Sequence, residues 1–262
     1  MDNIREAAVA GSFYPADPVE LRNQLDALLP TVANSDKPPK AMILPHAGYI
    51  YSGPVAASGY ARLGGNTAGI TRVVLLGPAH QKFVRGLALP GATAFSTPLG
   101  TIPLDTESLS RLQQLEQVSI DDAAHASEHC LEVHLPFLQR SLKDFTLVPV
   151  LVGDATADEV CEVIELLWGS DETLLIVSSD LSHYHDYETA MQLDQATSRA
   201  IESLAFEDID HHAACGSSPV NGLLLYARQH NLQFKTIDLR NSGDTAGPRN
   251  RVVGYGAYIL TE

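Results

Sequence analysis

Three apolar runs constrain this chain most, because each ends within a few residues in a histidine. Ala41-Met42-Ile43-Leu44 passes through Pro45 to His46, and Val73-Val74-Leu75-Leu76 passes through Gly77-Pro78-Ala79 to His80. Leu174-Leu175-Ile176-Val177 leads through Ser178-Ser179-Asp180-Leu181-Ser182 to His183. Short continuous apolar runs bounded by Gly, Pro or Ser read as strands buried on both faces, as in a parallel sheet. Open α/β sheets bind ligands beyond the carboxyl ends of such strands. Three ends that each carry an imidazole therefore predict one shared site, and several imidazoles together suit a metal.

Helical patterns separate the runs. Leu21, Leu25, Leu28 and Leu29 recur on one helical face after an Asp17-Pro18 start signal. Further helices are predicted over 53–63, 105–115, 159–168, 189–204 and 220–229, and further strands over 86–89, 145–152, 234–239 and 252–260. Residues 121–128 read as a loop and 33–40 as a short linker. Alternation without a composition break predicts a single α/β domain over residues 1–262. Its central sheet would be mixed but mostly parallel, with helices on both faces. The last two strands lack a clear intervening helix, which predicts an antiparallel edge.

Lys plus Arg number 17 against 32 Asp plus Glu, a net charge of −15 that repels nucleic acid and anionic membrane. No apolar run approaches membrane-spanning length, and the first residues lack the apolar core of a signal peptide. Three scattered cysteines, Cys130, Cys161 and Cys215, point to reduced thiols and a cytoplasmic protein.

The densest ionisable stretch is Glu128-His129-Cys130-Leu131-Glu132-Val133-His134. Leu131, Leu135, Leu138 and Leu142 step as one helix face, with Pro136 marking a kink or a first turn. On a regular helix His129 and Glu132 lie about 60° apart, whereas His134 lies about 140° from His129. His129 and Glu132 are thus the expected pocket pair, with His134 turned away unless the kink re-aims it.

The candidate metal ligands are His46, His80 and Cys215, with Asp180 and His183 beside them. Imidazole and thiolate donors suit iron, copper or zinc, and three protein ligands leave a coordination position open. Taken alone, His46 or His80 reads more simply as a hydrogen-bonded turn residue. The repeated strand-end context argues otherwise. Cys215 precedes Gly216 at a helix start, a setting that lowers a thiol pKa. A nucleophilic cysteine assisted by a histidine and Asp180 ranks lower, because no local cysteine-hydrolase signature surrounds Cys215.

Several motifs resemble the Memo family. They are Ala10-Gly11-Ser12-Phe13-Tyr14-Pro15, Pro45-His46-Ala47-Gly48-Tyr49 with Ser52-Gly53, and Gly77-Pro78-Ala79-His80. Further along come Glu128-His129-Cys130-Leu131-Glu132-Val133-His134-Leu135-Pro136-Phe137, Ser178-Ser179-Asp180-Leu181-Ser182-His183 and Cys215-Gly216. The resemblance implies a fold similar to class III extradiol ring-cleaving dioxygenases, which use non-haem iron(II). It implies a metal on His46, His80 and Cys215, with His183 as the acid/base histidine and Asp180 beside it. It also implies association with radical-SAM and AMMECR-type proteins in prokaryotes. The animal relative is a redox-linked, metal-binding signalling protein that also binds phosphotyrosine peptides. Cys215 stands where the dioxygenases carry a carboxylate ligand, and a thiolate is softer and itself oxidisable.

Two functions follow as expectations. One is a metal-dependent redox or oxygen-handling protein with a single transition-metal ion, iron(II) first and copper or zinc next, acting on a small molecule. The other is a non-catalytic module that holds a peptide, phosphopeptide or small anion in the same pocket. His129, Glu132 and His134 are expected to line or support that pocket.

Overall fold

The computed structural model describes residues 3–29, 37–65 and 67–261. The part of the 33–40 linker up to position 36 lies outside the described residues. Four strands form the parallel centre of the sheet: β2 (Ala41–Leu44), β3 (Arg72–Pro78), β8 (Thr146–Val152) and β9 (Thr173–Ser178). They lie in the order β2-β9-β3-β8, and β2 and β9 are buried along their whole lengths. That burial on both faces explains the unbroken apolar runs.

Both flanks of this centre carry antiparallel pairings. Beyond β8 lies β4 (Leu87–Leu89), antiparallel to it, and then β7 (Val118–Ile120), parallel to β4. Beyond β2 lies β12 (Val252–Thr261), which pairs with β11 (Gln233–Asn241) as an antiparallel hairpin. The start of β12 also takes up the short β10 (His183–His185). A separate small sheet, β1 (Ile4–Arg5), β5 (Ala94–Thr97) and β6 (Gly100–Pro103), was not visible in the sequence pattern.

The helices cover the sheet in two groups. On one side α1 (Pro18–Leu28), α2 (Tyr49–Tyr60) and α5 (Leu135–Ser141) pack together, with α2 against β2, β11 and β12. The other group is α6 (Ala157–Leu167) and α8 (Ser217–Gln229), with α8 against β3 and β9, while α7 (Tyr187–Glu202) packs on β11 and β12. Asp17 caps α1 by accepting from the Val19 and Glu20 amides, as its place before Pro18 predicts. Shorter helices α3 (Thr106–Leu112) and α4 (Asp122–Ala126) complete the set, so part of 121–128 is helical rather than loop. Among the described residues no helix is long and apolar enough to cross a membrane.

One expected element differs in a way that matters. The regular helix read over 131–142 begins instead as a 3-10 turn, Glu132–His134, and becomes α-helical only at Leu135. Pro136 sits in the first turn of α5, where its missing N–H costs nothing. A 3-10 turn advances about 120° per residue, so the angles expected for His129, Glu132 and His134 do not apply.

Candidate metal centre

The carboxyl ends of β2, β3 and β9 lie side by side, because β9 pairs with both of the others. His46 and His80 follow the first two, and Asp180 follows the third. Cys215 arrives just before α8, where its backbone N–H donates to the Asp180 carbonyl at 3.2 Å. Gly216 makes that approach feasible: a Cβ there would sit 2.7 Å from the Ser178 carbonyl and from Ser179 Cβ. Gly77 does the same on β3, where a Cβ would lie 2.7 Å from Cys130 Sγ. The 130–131 segment can therefore lie against the strand end only because that position lacks a side chain.

The donor atoms of His46, His80 and Cys215 all lie within 4.8 Å of one another. Cys215 Sγ is 3.4 Å from His46 Nε2. The ring centroids of His46 and His80 are 5.2 Å apart, edge to face. Residues 34 and 169 positions apart are thus brought to one point by the topology.

Hydrogen bonds decide which nitrogen of His46 is free. The Ser178 hydroxyl donates its one hydrogen to the Cys130 carbonyl at 2.7 Å. Toward His46 Nδ1 at 2.7 Å and His134 Nε2 at 3.0 Å it can then only accept. His46 is assigned as the Nδ1–H tautomer, which leaves an Nε2 lone pair facing the sulfur of Cys215. His134 is the Nε2–H tautomer, and its Nδ1 accepts from the Tyr60 hydroxyl at 3.1 Å. Burial first, and neighbouring His80 second, hold His46 well below the usual histidine range, so it is neutral. Burial likewise lowers His134 to about 3. His134 therefore stands two hydrogen bonds behind His46, through Ser178.

His80 points its Nδ1 at Glu128 Oε1, 3.0 Å away. His129 places its Nδ1 3.1 Å from the same oxygen. The two rings stack at 4.9 Å with 21° between planes, and His129 also lies 5.4 Å from His46. Phe13 closes the other side of His129, at 4.8 Å. Burial alone would raise the Glu128 carboxyl, but hydrogen bonds from His129 and His80 outweigh it and hold the group well below its ordinary range. The sequence reading gave neither Glu128 nor Ser178 a role: one closes a stretch read as a loop and the other follows a strand.

Glu132, expected in the pocket, is elsewhere. It is fully buried and faces the N-terminal segment, pairing with Arg5 and accepting from the Ala8 and Val9 amides and the Tyr14 hydroxyl. His129 lies before the 3-10 turn, in irregular backbone, so no helical period relates the two side chains.

Asp180 is buried, and burial raises its carboxyl despite the hydrogen bond from the His46 backbone N–H at 2.8 Å. The charges of His183, His129 and His80 act on it in the lowering direction. His183 donates from Nδ1 to the Leu181 carbonyl at 2.8 Å, which leaves its Nε2 free. Its orienting partner is thus a backbone carbonyl rather than Asp180. The Cys215 thiol is pushed up to about 12 by burial and then by the Asp180 charge. The Asp180 N–H, the Ser179 hydroxyl and, least, the Gly216 N–H at the helix start pull downward but do not win, contrary to the lowering expected from sequence.

The donor set fits a transition metal: one neutral imidazole with its lone pair toward a sulfur, a second imidazole backed by a carboxylate, and that sulfur within span. A second group within the same span is His80, Glu128 and His129. Cys130 and Cys161 are buried in the core, as their apolar settings predict, and His185, His211 and His212 are exposed.

Comparison with known proteins gives the family and the fold. The family described as Memo-like protein matches residues 5–259. A MEMO1 family protein of Sulfolobus acidocaldarius is 33% identical over 277 residues, spanning 96% of this chain and 97% of its own. A second, from Aquifex aeolicus, is 34% identical over 268 residues, spanning 98% of this chain and 99% of its own. An uncharacterized protein of Escherichia coli K12, known from a crystal structure, superposes with a TM-score of 0.51 at 14% identity. It covers 84% of this chain and 98% of its own, a likeness of fold.

Proposed function

The chain belongs to the Memo family, and from that premise we propose that it is a mononuclear transition-metal protein acting in redox or oxygen-handling chemistry. The observation that carries the reading is the span of 4.8 Å within which His46, His80 and Cys215 place their donor atoms. His46, His80 and Cys215 are the proposed ligands, with iron(II) the first candidate and copper or zinc the next. When bound, such an ion supplies Lewis acidity and, for iron or copper, one-electron chemistry.

The chain itself supplies the proton handling. His183 Nε2 is free because its Nδ1–H is committed to the Leu181 carbonyl, so the ring can take or give a proton at that one atom. Asp180 holds the His46 backbone in place and sets the negative charge next to Cys215. A small-molecule substrate is proposed at the open side, and partnership with radical-SAM and AMMECR-type proteins remains part of the same proposal.

Elemental analysis of protein purified without oxygen tests it. The expected result is about one metal per chain, as three protein ligands to a single ion require, with His46→Ala and Cys215→Ser losing most of it. Metal-free wild type after supplementation, or variants that bind as much as wild type, would defeat the proposal. Peptide affinity that survives chelation would favour the binding-module reading instead.

A further inference from the structure

We infer that Glu128 is a positioning residue that fixes two imidazoles at once, setting both His80 and His129 as Nδ1–H tautomers with Nε2 free. The inference rests on the metal-site reading for its purpose, but its geometry stands alone. Glu128 is 2% exposed and sits between the loop after β3 and the 128–130 turn. Its Oε2 accepts from the backbone N–H of His80 at 2.6 Å and of Gln81 at 3.3 Å. Its Oε1 accepts from the backbone N–H of His129 at 2.9 Å and of Cys130 at 3.1 Å. The His80 ring Nδ1 hydrogen-bonds to that same Oε1 at 3.0 Å, and the His129 Nδ1 lies 3.1 Å from it.

An ionised carboxylate only accepts, so each ring nitrogen that faces it must carry a hydrogen. Four backbone donors hold the carboxylate from both sides, so it cannot rotate to follow either ring. The two rings are then stacked and clamped as a pair, 4.9 Å apart. Ser178 does the same for His46 by a different route, because a hydroxyl whose hydrogen is already given to the Cys130 carbonyl can only accept.

The alternative is that Glu128 is itself a ligand, making His80, Glu128 and His129 a two-histidine, one-carboxylate set. Hydrogen bonding argues against it. Both oxygens already accept from backbone N–H groups, and the ring nitrogens that face Glu128 are the ones an accepting carboxylate keeps protonated. A metal there would have to break contacts that the fold provides.

The test reads the tautomers directly. Long-range proton–nitrogen correlation spectra of the metal-free full-length protein, at about pH 8 where an ordinary histidine is neutral, distinguish Nδ1–H from Nε2–H rings. Assignment uses His46→Gln, His80→Gln and His129→Gln. In wild type all three rings are expected as Nδ1–H. In folded Glu128→Leu, which offers the rings no acceptor, His80 and His129 are expected to leave the Nδ1–H form while His46, held by Ser178, does not. Metal affinity of Glu128→Gln, by chelator competition, should fall about 10- to 100-fold with binding stoichiometry unchanged, and Glu128→Asp should recover part of it. Wild-type His80 or His129 found as Nε2–H overturns the inference without any variant, as do unchanged tautomers in folded Glu128→Leu. If Glu128→Gln abolishes metal binding while His46→Ala and Cys215→Ser retain it, Glu128 is a ligand and the proposed centre falls with the inference. If the tautomers behave as stated but no variant affects metal binding, only the metal-site reading fails.

Discussion

Replacing Glu132 with glutamine separates a buried structural carboxylate from a site residue. The side chain has no exposure, and its charge is matched by Arg5, which is 7% exposed. Three further donors converge on it: the amides of Ala8 at 2.8 Å and Val9 at 2.9 Å, and the Tyr14 hydroxyl at 2.6 Å. Glutamine removes the charge and turns one acceptor into a donor. Arg5 is then left as a buried cation satisfied only by the His125 and Glu128 carbonyls, and one of the three remaining donors faces an NH2 group. Breaking a buried pair by removing one partner costs about 3–5 kcal/mol. For a chain of this size that is a fall of roughly 10 °C in Tm. Thermal and denaturant unfolding measure the loss, and metal titration of the folded variant measures the site. The expected outcome is a large loss of stability with binding stoichiometry intact, because Glu132 faces the N-terminal segment rather than the imidazole cluster. A loss below about 1 kcal/mol, typical of an exposed pair, would refute the burial argument. Loss of metal at a temperature where the protein is folded would return Glu132 to the pocket.

Three further outcomes follow from the same geometry. Because burial raises the Cys215 thiol to about 12, metal binding near neutral pH should release about one proton from it; calorimetry in buffers of different ionisation enthalpy counts the proton, and none released would exclude the sulfur as a ligand. Ser178→Ala orphans the Cys130 carbonyl and two ring N–H groups, so roughly 2–4 kcal/mol of stability should go, with metal affinity down about tenfold; a neutral effect in unfolding and chelator competition would contradict the tautomer assignment. Burial raises the Asp194 carboxyl to about 6 even though it accepts from the Ser182 N–H at 3.0 Å, above an ordinary value of about 4. Below the ordinary value both states hold the proton, so the group costs nothing there. As pH rises toward 6 the unfolded chain releases its proton first, so stability falls through that window by a total of roughly 3 kcal/mol. Asp194→Asn should flatten the slope in denaturant titrations, and an unchanged slope would mean that Asp194 is not its source.

The parallel centre of the fold was legible because burial on both faces leaves an unbroken apolar run, a purely local signal. All four central strands carry it, and the ends of β2, β3 and β9 lead to His46, His80 and Asp180. The hairpin of β11 and β12 was also legible, from the missing helix between them. The small sheet of β1, β5 and β6 was not, since two- to four-residue strands are too short to show a period. At the site, the sequence marked His46, His80, His183 and Cys215 by their place relative to strands and turns.

The sequence misjudged the 128–134 stretch, and the reason is a matter of phase. The leucine spacing from 131 to 142 fits a regular helix, and that period placed His129 and Glu132 together with His134 away. The true start is a 3-10 turn held from outside, where Tyr49 donates its hydroxyl to the Val133 carbonyl at 2.8 Å and Arg5 reaches the Glu128 carbonyl at 2.7 Å. Those partners lie 84 and 123 residues away, so no window around the stretch contains them. The result inverts the expected pairing. Glu132 leaves the site, His134 reaches it through Ser178, and Glu128, which local pattern placed at the end of a loop, becomes the best-connected carboxylate beside the imidazoles. A ligand's identity can follow from its place at a strand end, but the group that fixes its tautomer is chosen by contacts the chain makes only after folding.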